Sequence, residues 1–177
     1  MADRTPNPYN VTYSFDDWLD EKVVYPVHGY ISHAVGKEIE TPCFTILHHE
    51  LSSDALAPDD VIGSENGKEI YGRMVKAEAR IVCYVGVISD GYDEPQADHL
   101  FKMRNVLFGL MRFRPRISIR NYETDTDFAD LEVSDQGYIT VEDITEESAI
   151  SDVRDSYILL EQAFRVRYQY VHQVLED

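Results

Sequence analysis

The feature that most limits how this chain can fold is Ile81-Val82-Cys83-Tyr84-Val85-Gly86-Val87-Ile88, an uncharged run ending a longer strand-like stretch, Glu69 to Ser89. Side chains of a strand alternate between its two faces. Here both parities are apolar, so both faces must be covered, one by the chain's own helices and the other by more core or by another subunit. Gly91 ends the run, and Asp93-Glu94-Pro95 opens the clearest helix of the chain. In it Leu100, Met103, Val106, Leu107, Leu110 and Met111 recur at spacings of three and four, with acids gathered at the start. A helix over 95–111 is therefore expected to follow the strand and to pack on it.

Weaker signals surround this unit. Residues 1–13, with Pro6, Pro8, Asn7 and Asn10, read as an irregular arm. Ser14 reads as an N-cap, with Asp17 three residues on as an imperfect capping box. Phe15, Trp18, Leu19 and Lys22-Val23 then form a short amphipathic helix that Pro26 closes, with Trp18 as a core anchor. Two strand-like runs follow, His28 to Val35 and Pro42 to Glu50. Ser52 to Gly67 is polar and turn-rich and is expected to be a long loop, disordered or used in a contact. After the helix, residues 121–137 read as an acidic loop, Tyr138 to Val141 as a short strand, and 142–156 as polar with weak helical character. In the terminal segment, Tyr157 to Val171, Phe164, Val166, Tyr168 and Tyr170 alternate with Arg165, Arg167 and Gln169, as an amphipathic strand requires. The fold expected is α+β: a mainly antiparallel sheet flanked by two or three helices. A single domain covers 14–177 after the arm at 1–13, with a long loop at 52–67.

The 177 residues suffice for one domain with a core, and 44% hydrophobic content excludes wholesale disorder. No apolar run approaches the ~20 residues that span a bilayer, and the first residues lack a signal-peptide pattern. No membrane partner is expected. Cys43 and Cys83 lie in apolar segments and read as reduced, buried thiols, neighbours if their segments pair. Thirty-three acidic residues face sixteen basic ones, eleven Arg and five Lys, for a net charge of −17. That balance suits either a protein kept soluble at high salt or an ordinary acidic protein. Free nucleic acid does not suit the molecule as a whole, because binding phosphate needs a basic surface.

Chemistry is sparse. His48 and His49 are adjacent and would face opposite ways in a strand, and His28 and His33 also differ in parity. No metal-ligand spacing is found, and surface or half-buried histidines are expected. The run Glu123 to Glu132 superficially resembles a calcium loop, but Asp130 stands where a glycine is required, so it reads as a solvated acidic loop. Glycine-rich phosphate cradles and a nucleophile elbow are missing from the sequence. A non-enzyme is expected, with no catalytic residues, no metal and no cofactor.

What remains is surface. Arg112, Arg114, Arg116 and Arg120 all sit at even positions, so in an extended segment they would line one face, with Ile117 and Ile119 opposite. Arg165 and Arg167 form a second row. Such rows pair with acids of their own chain, with carboxylates of a neighbouring copy, or with DNA in a passage. The arginine fork suits either anion. Against a charge of −17, the neighbouring copy is the favoured partner and DNA the runner-up.

The order of elements adds a resemblance. A short N-terminal helix precedes a Thr41-Pro42-Cys43-Phe44-Thr45-Ile46-Leu47 strand. A long loop then leads to the strand ending Arg80-Ile81-Val82-Cys83-Tyr84-Val85-Gly86-Val87. The helix 95–111, the Arg-bearing segment and a terminal Phe164-Arg165-Val166-Arg167-Tyr168 strand follow. Over roughly residues 15–171 this resembles the tail-terminator (tail-completion, neck) proteins of long-tailed viruses. The resemblance implies a small α+β subunit assembled with itself into a ring, a homohexamer. Such a ring ends the tail tube, meets the tube protein and the head-side connector protein, and passes DNA through its lumen without reading sequence. It implies location in the virion, after assembly in the host cytoplasm, and no catalytic residues. The Lys-poor acidity would fit a virus of a halophilic archaeon. Other tail or connector subunits, such as the tube protein, share the pattern. The non-viral alternative is a halophile's binding module that takes an acidic partner through Arg112–Arg120.

Overall fold

The computed structural model describes residues 8–29, 41–53, 60–65, 67–88, 94–128, 137–154 and 157–175. Along the chain run α1 (Pro8–Lys22), β1 (Val27–His28), β2 (Cys43–Ser53), β3 (Asp60–Glu65), β4 (Lys68–Ile88), α2 (Glu94–Arg112), β5 (Arg116–Ser118), β6 (Arg120–Asn121), β7 (Thr126–Asp127), β8 (Tyr138–Arg154) and β9 (Tyr157–Leu175). This is the expected single-domain α+β fold, with two helices among the described residues.

The main sheet has the order β1-β2-β4-β9-β8-β5, with β3 continuing the β2 side of β4. All its pairings are antiparallel except β1 with β2. Strands of the first half of the chain lie on one side of the sheet and those of the second half on the other. They meet at a seam, β4 against β9, unbroken from Ile70↔Leu175 to Ile88↔Tyr157. At about 3.3 Å per residue this ladder is about 60 Å long.

Both helices cover one face of the sheet. Val75, Ala77, Ala79, Ile81, Cys83 and Val85 of β4 point there, with Phe164, Val166, Tyr168 and Tyr170 of β9. Into them α1 inserts Val11, Phe15 and Leu19, and α2 inserts Met103, Leu107 and Met111, each set four residues apart. Phe15 stacks on Tyr168 with ring centres 5.2 Å apart, and Phe108 meets Phe164 edge-on at 5.7 Å. A 15-residue helix is marginal alone in water. Burying the three α1 side chains contributes about 5–9 kcal/mol, so packing holds the helix. Trp18, expected as the anchor, is only partly buried beside Phe15. The doubly apolar run is covered on both sides: Val82 is 2% exposed on the other face, in register with Thr45 of β2 and Ala163 of β9, both buried.

Several local expectations are corrected. The arm over 1–13 turns helical at Pro8, a residue the first helical turn accommodates because its missing N–H has no helical partner there. Ser14 is thus inside the helix, not its cap, and its hydroxyl accepts the Arg120 backbone N–H at 2.8 Å. The loop over 52–67 is largely a hairpin arm. β2 runs to Ser53, β3 pairs with β4 as far as Glu65↔Lys68, and Gly67 before Lys68 has φ +80°, as a tight turn demands. Residues 54–59 lie outside the described residues, as does the 30–35 part of the strand expected over 28–35. The acidic loop at 121–137 contains the β6–β7 hairpin and the buried Phe128. The segment 142–156, read as polar and weakly helical, belongs to the continuous strand β8. Bulges at Val141/Asp143 and Glu146/Ala149 break its alternation and hide the period of two.

Cys43 and Cys83 do lie on paired strands, but Cys83 is opposite Phe44 and Cys43 opposite Tyr84. One step of register puts the thiols on opposite faces, and both are free and buried. Burial pushes the Cys43 thiol up to about 11 and Cys83 still further up.

Candidate assembly surface

The arginine row is not one strand face. Arg112 ends α2, Arg114 sits in the turn with φ 49°, Arg116 is in β5 and Arg120 in β6. The extended run fails because Met111 to Arg114 closes the helix: the Arg114 N–H donates to the Met111 carbonyl at 3.0 Å, and Pro115 blocks continuation. Ile117 and Ile119 are buried as expected, and all four arginines are exposed. Their partners differ. Arg120 pairs with Asp125. Arg116 lies over the Tyr138 ring, 4.1 Å from its centre. Among the described residues, Arg112 and Arg114 have no ion-pair partner.

The second row is tied into its own sheet. On the face away from the helices, Arg80 and Arg165 are directly opposite, a repulsive pairing that Glu147 of β8 relieves by accepting from both at 2.9 Å. Glu78 pairs with Arg165 at 2.9 Å and reaches Arg167 at 3.6 Å, and Asp143 is 3.5 Å from Arg167. The Arg80 hydrogen bond, with that of Arg165, holds the Glu147 carboxyl below its usual range. On the helix-covered face, Arg104 of α2 and Glu146 of β8 form a two-pronged pair at 2.8 and 2.9 Å. Arg165 and Arg167 therefore serve the subunit's own sheet.

The outer side of α2 is different. Phe101 is 66% exposed, Val106 37% and, just past the helix, Phe113 82%. Val106 belonged to the expected core stripe, but the Met103–Leu107–Met111 row fixes the buried face about 100° away from it. Lys102 and Arg112, next to the two phenylalanines in sequence, are exposed, as is Gly109. The helical periodicity of the sequence does not single out Phe101, Lys102 or Phe113. The signal was present: residues 99–122 contain no acid in a chain that has 33.

The outer side of α1 has the reverse character. Tyr9, Tyr13, Asp17, Asp20 and Glu21 follow one another at helical spacing. Tyr122 of the β6–β7 hairpin completes an aromatic cluster, 5.6 Å from the Tyr13 ring and 6.2 Å from Tyr9, and its hydroxyl donates to Asp17. Burial first, and then that hydrogen bond, push the Tyr122 hydroxyl above the ordinary tyrosine range. Asn10 accepts the Tyr122 backbone N–H at 3.3 Å, so the hairpin is clasped to α1 at Asn10, Ser14 and Asp17.

Beneath α1 is a buried polar chain. His49 Nε2 is 3.0 Å from Asp16 Oδ1, and His49 Nδ1 is 2.8 Å from the Tyr168 hydroxyl. Of the histidines expected to be surface or half-buried, His49 has a side chain only 2% exposed, because the bulge between Ile46 and His48 turns it toward the helices. Burial pushes the Tyr168 hydroxyl far up, so it stays protonated. With solvent excluded, this arrangement joins helix to sheet. Among the described residues no cluster of three His, Cys, Asp or Glu side chains is placed to hold a metal ion, and no helix is long and apolar enough to cross a membrane.

No protein-family model matches the sequence, and no curated protein is significantly similar to it.

Proposed function

We propose that this chain is a self-assembling structural subunit of a virion, forming the ring at the head–tail junction that ends the tail tube and receives the head-side connector. The observation that carries the self-assembly is the outer face of α2. Two well-exposed phenylalanines stand with Arg112 and Arg114 on a molecule of net charge −17. Burying one such ring in an interface contributes about 1.5–3 kcal/mol, and each arginine meets a strongly acidic neighbour. The place at the head–tail junction rests on the resemblance of the sequence pattern to tail-terminator proteins. The tail tube protein and the head-side connector protein are the proposed contacts, and DNA passes without its bases being read. No bound cofactor enters this role.

Sedimentation velocity and native mass spectrometry, at low and at molar salt, test the assembly. A discrete closed oligomer is expected, with rings in negative stain that cap purified tail tubes and stop their growth. A monomer at every concentration and salt overturns the proposal. Rings that ignore tail tubes overturn the place at the junction but keep the self-assembly.

A further inference from the structure

We infer that the outer face of α2, from Phe101 to Arg114, docks on the outer face of α1 of a neighbouring copy. This deepens the self-assembly reading and rests on it. The two faces are complementary in residue type and in charge. One carries Phe101 and Phe113 with Lys102, Arg112 and Arg114, in a stretch without acids. The other carries the tyrosine cluster around Tyr9 and Tyr13, with Asp20 and Glu21 exposed beside it. Phenylalanine edges pack on tyrosine faces, and arginine forks on carboxylates, so the same apposition satisfies both kinds of contact.

A second observation points to the same arginine. Arg114 occupies a left-handed backbone position, φ 49°, at the C-terminal cap of α2, where glycine is the unstrained choice. Its side chain is exposed and has no ion pair among the described residues. An arginine held at a conformational cost, exposed and without an ion pair among the described residues, is placed for a partner. The partner is acidic, and a second copy provides what is needed: Asp20 and Glu21 lie on α1, on the same helix layer of the subunit, open to an incoming molecule. Within one subunit Tyr25, in the link between α1 and β1, is 2.9 Å from His99 of α2, and both helices pack into the same core. Both faces are therefore held rigidly by one core.

Charge exchange tests this. One variant carries Arg112→Glu with Arg114→Glu, the other Asp20→Arg with Glu21→Arg. All four positions are exposed, and circular dichroism and urea unfolding confirm that each variant is folded. Each alone is expected to associate about a hundredfold more weakly than the natural chain, since like charges then face each other. Mixed in equal amounts, the two are expected to regain association, because every reversed face then finds a complementary one. Phe113→Ser should weaken association at low and molar salt alike, whereas the charge effects should shrink at molar salt. If the natural chain assembles while both charge variants assemble equally well, or if folded variants fail to recover on mixing, the docking is wrong and self-assembly stands. If the natural chain is monomeric, both fall.

Discussion

His49 of β2 and Tyr168 of β9 are joined by a 2.8 Å hydrogen bond that passes over an intervening strand. Ala79 is opposite His49 and Ala77 opposite Tyr168 in the β4 register, and these two small side chains leave the room for it. The sheet thus gains a side-chain tie between its second and fourth strands, anchored on α1 by Asp16.

Removing the Tyr168 hydroxyl leaves a buried imidazole nitrogen without its partner. Tyr168→Phe is expected to cost about 1–3 kcal/mol in urea unfolding. Tyr170 is also buried, and its hydroxyl has no hydrogen bond among the described residues, so Tyr170→Phe should cost less.

Gly29 abuts the same carboxylate. A Cβ placed there would be 2.5 Å from Asp16 Oδ2. Asp16 is held by His49 and has little freedom to yield. Gly29→Ala is therefore expected to destabilise by about 1–3 kcal/mol, and by much less in an Asp16→Ala background, where the clash is gone. Equal costs in the two backgrounds would show that the steric relation is not the cause.

Glu147 links pH to stability. Its folded carboxyl is held below the ordinary value of 4.5, chiefly by Arg80. A depressed folded value means that the contribution is complete above 4.5 and is lost as pH falls through the lower, folded-state value. Glu147→Gln should lower the unfolding free energy from urea titration at neutral pH by at most about 1 kcal/mol, and leave it nearly unchanged at a pH below the carboxylate range. Added salt should shrink the neutral-pH difference.

The two thiols report on global opening. Both are buried and shifted up, Cys43 to about 11, so neither is a reactive thiolate near pH 8. Native protein is expected to resist a disulfide reagent, and both cysteines to react once urea unfolds it. Fast labelling of the folded chain would contradict the burial.

Where one physical signal dominated, the sequence was readable. The apolar run at 81–88 predicted a doubly covered strand, and the rows Met103–Leu107 and Phe164–Tyr168 predicted the faces they bury. Misreadings came where long-range contacts use a local signal for something else. Ser14 has the surroundings of a cap but serves the Arg120 backbone. β8 hides its period behind two bulges, and the even spacing of the arginines imitates a strand although the helix ends within it. Of the six arginines singled out, Arg112 and Arg114 lie on the candidate surface without an internal ion pair among the described residues. Which arginines find acids within the subunit depends on strand register, and a linear sequence does not display register.

The β4–β9 seam also sets how the chain must fold. Its partners are separated by all of α2 and β5–β8, so the longest ladder in the protein closes the longest loop. The hairpins β3–β4 and β8–β9 join close neighbours and are the cheap early steps. The nucleation barrier then falls on bringing two preformed ribbons together, and substitutions such as Ala79→Gly at the seam should slow refolding more than they speed unfolding.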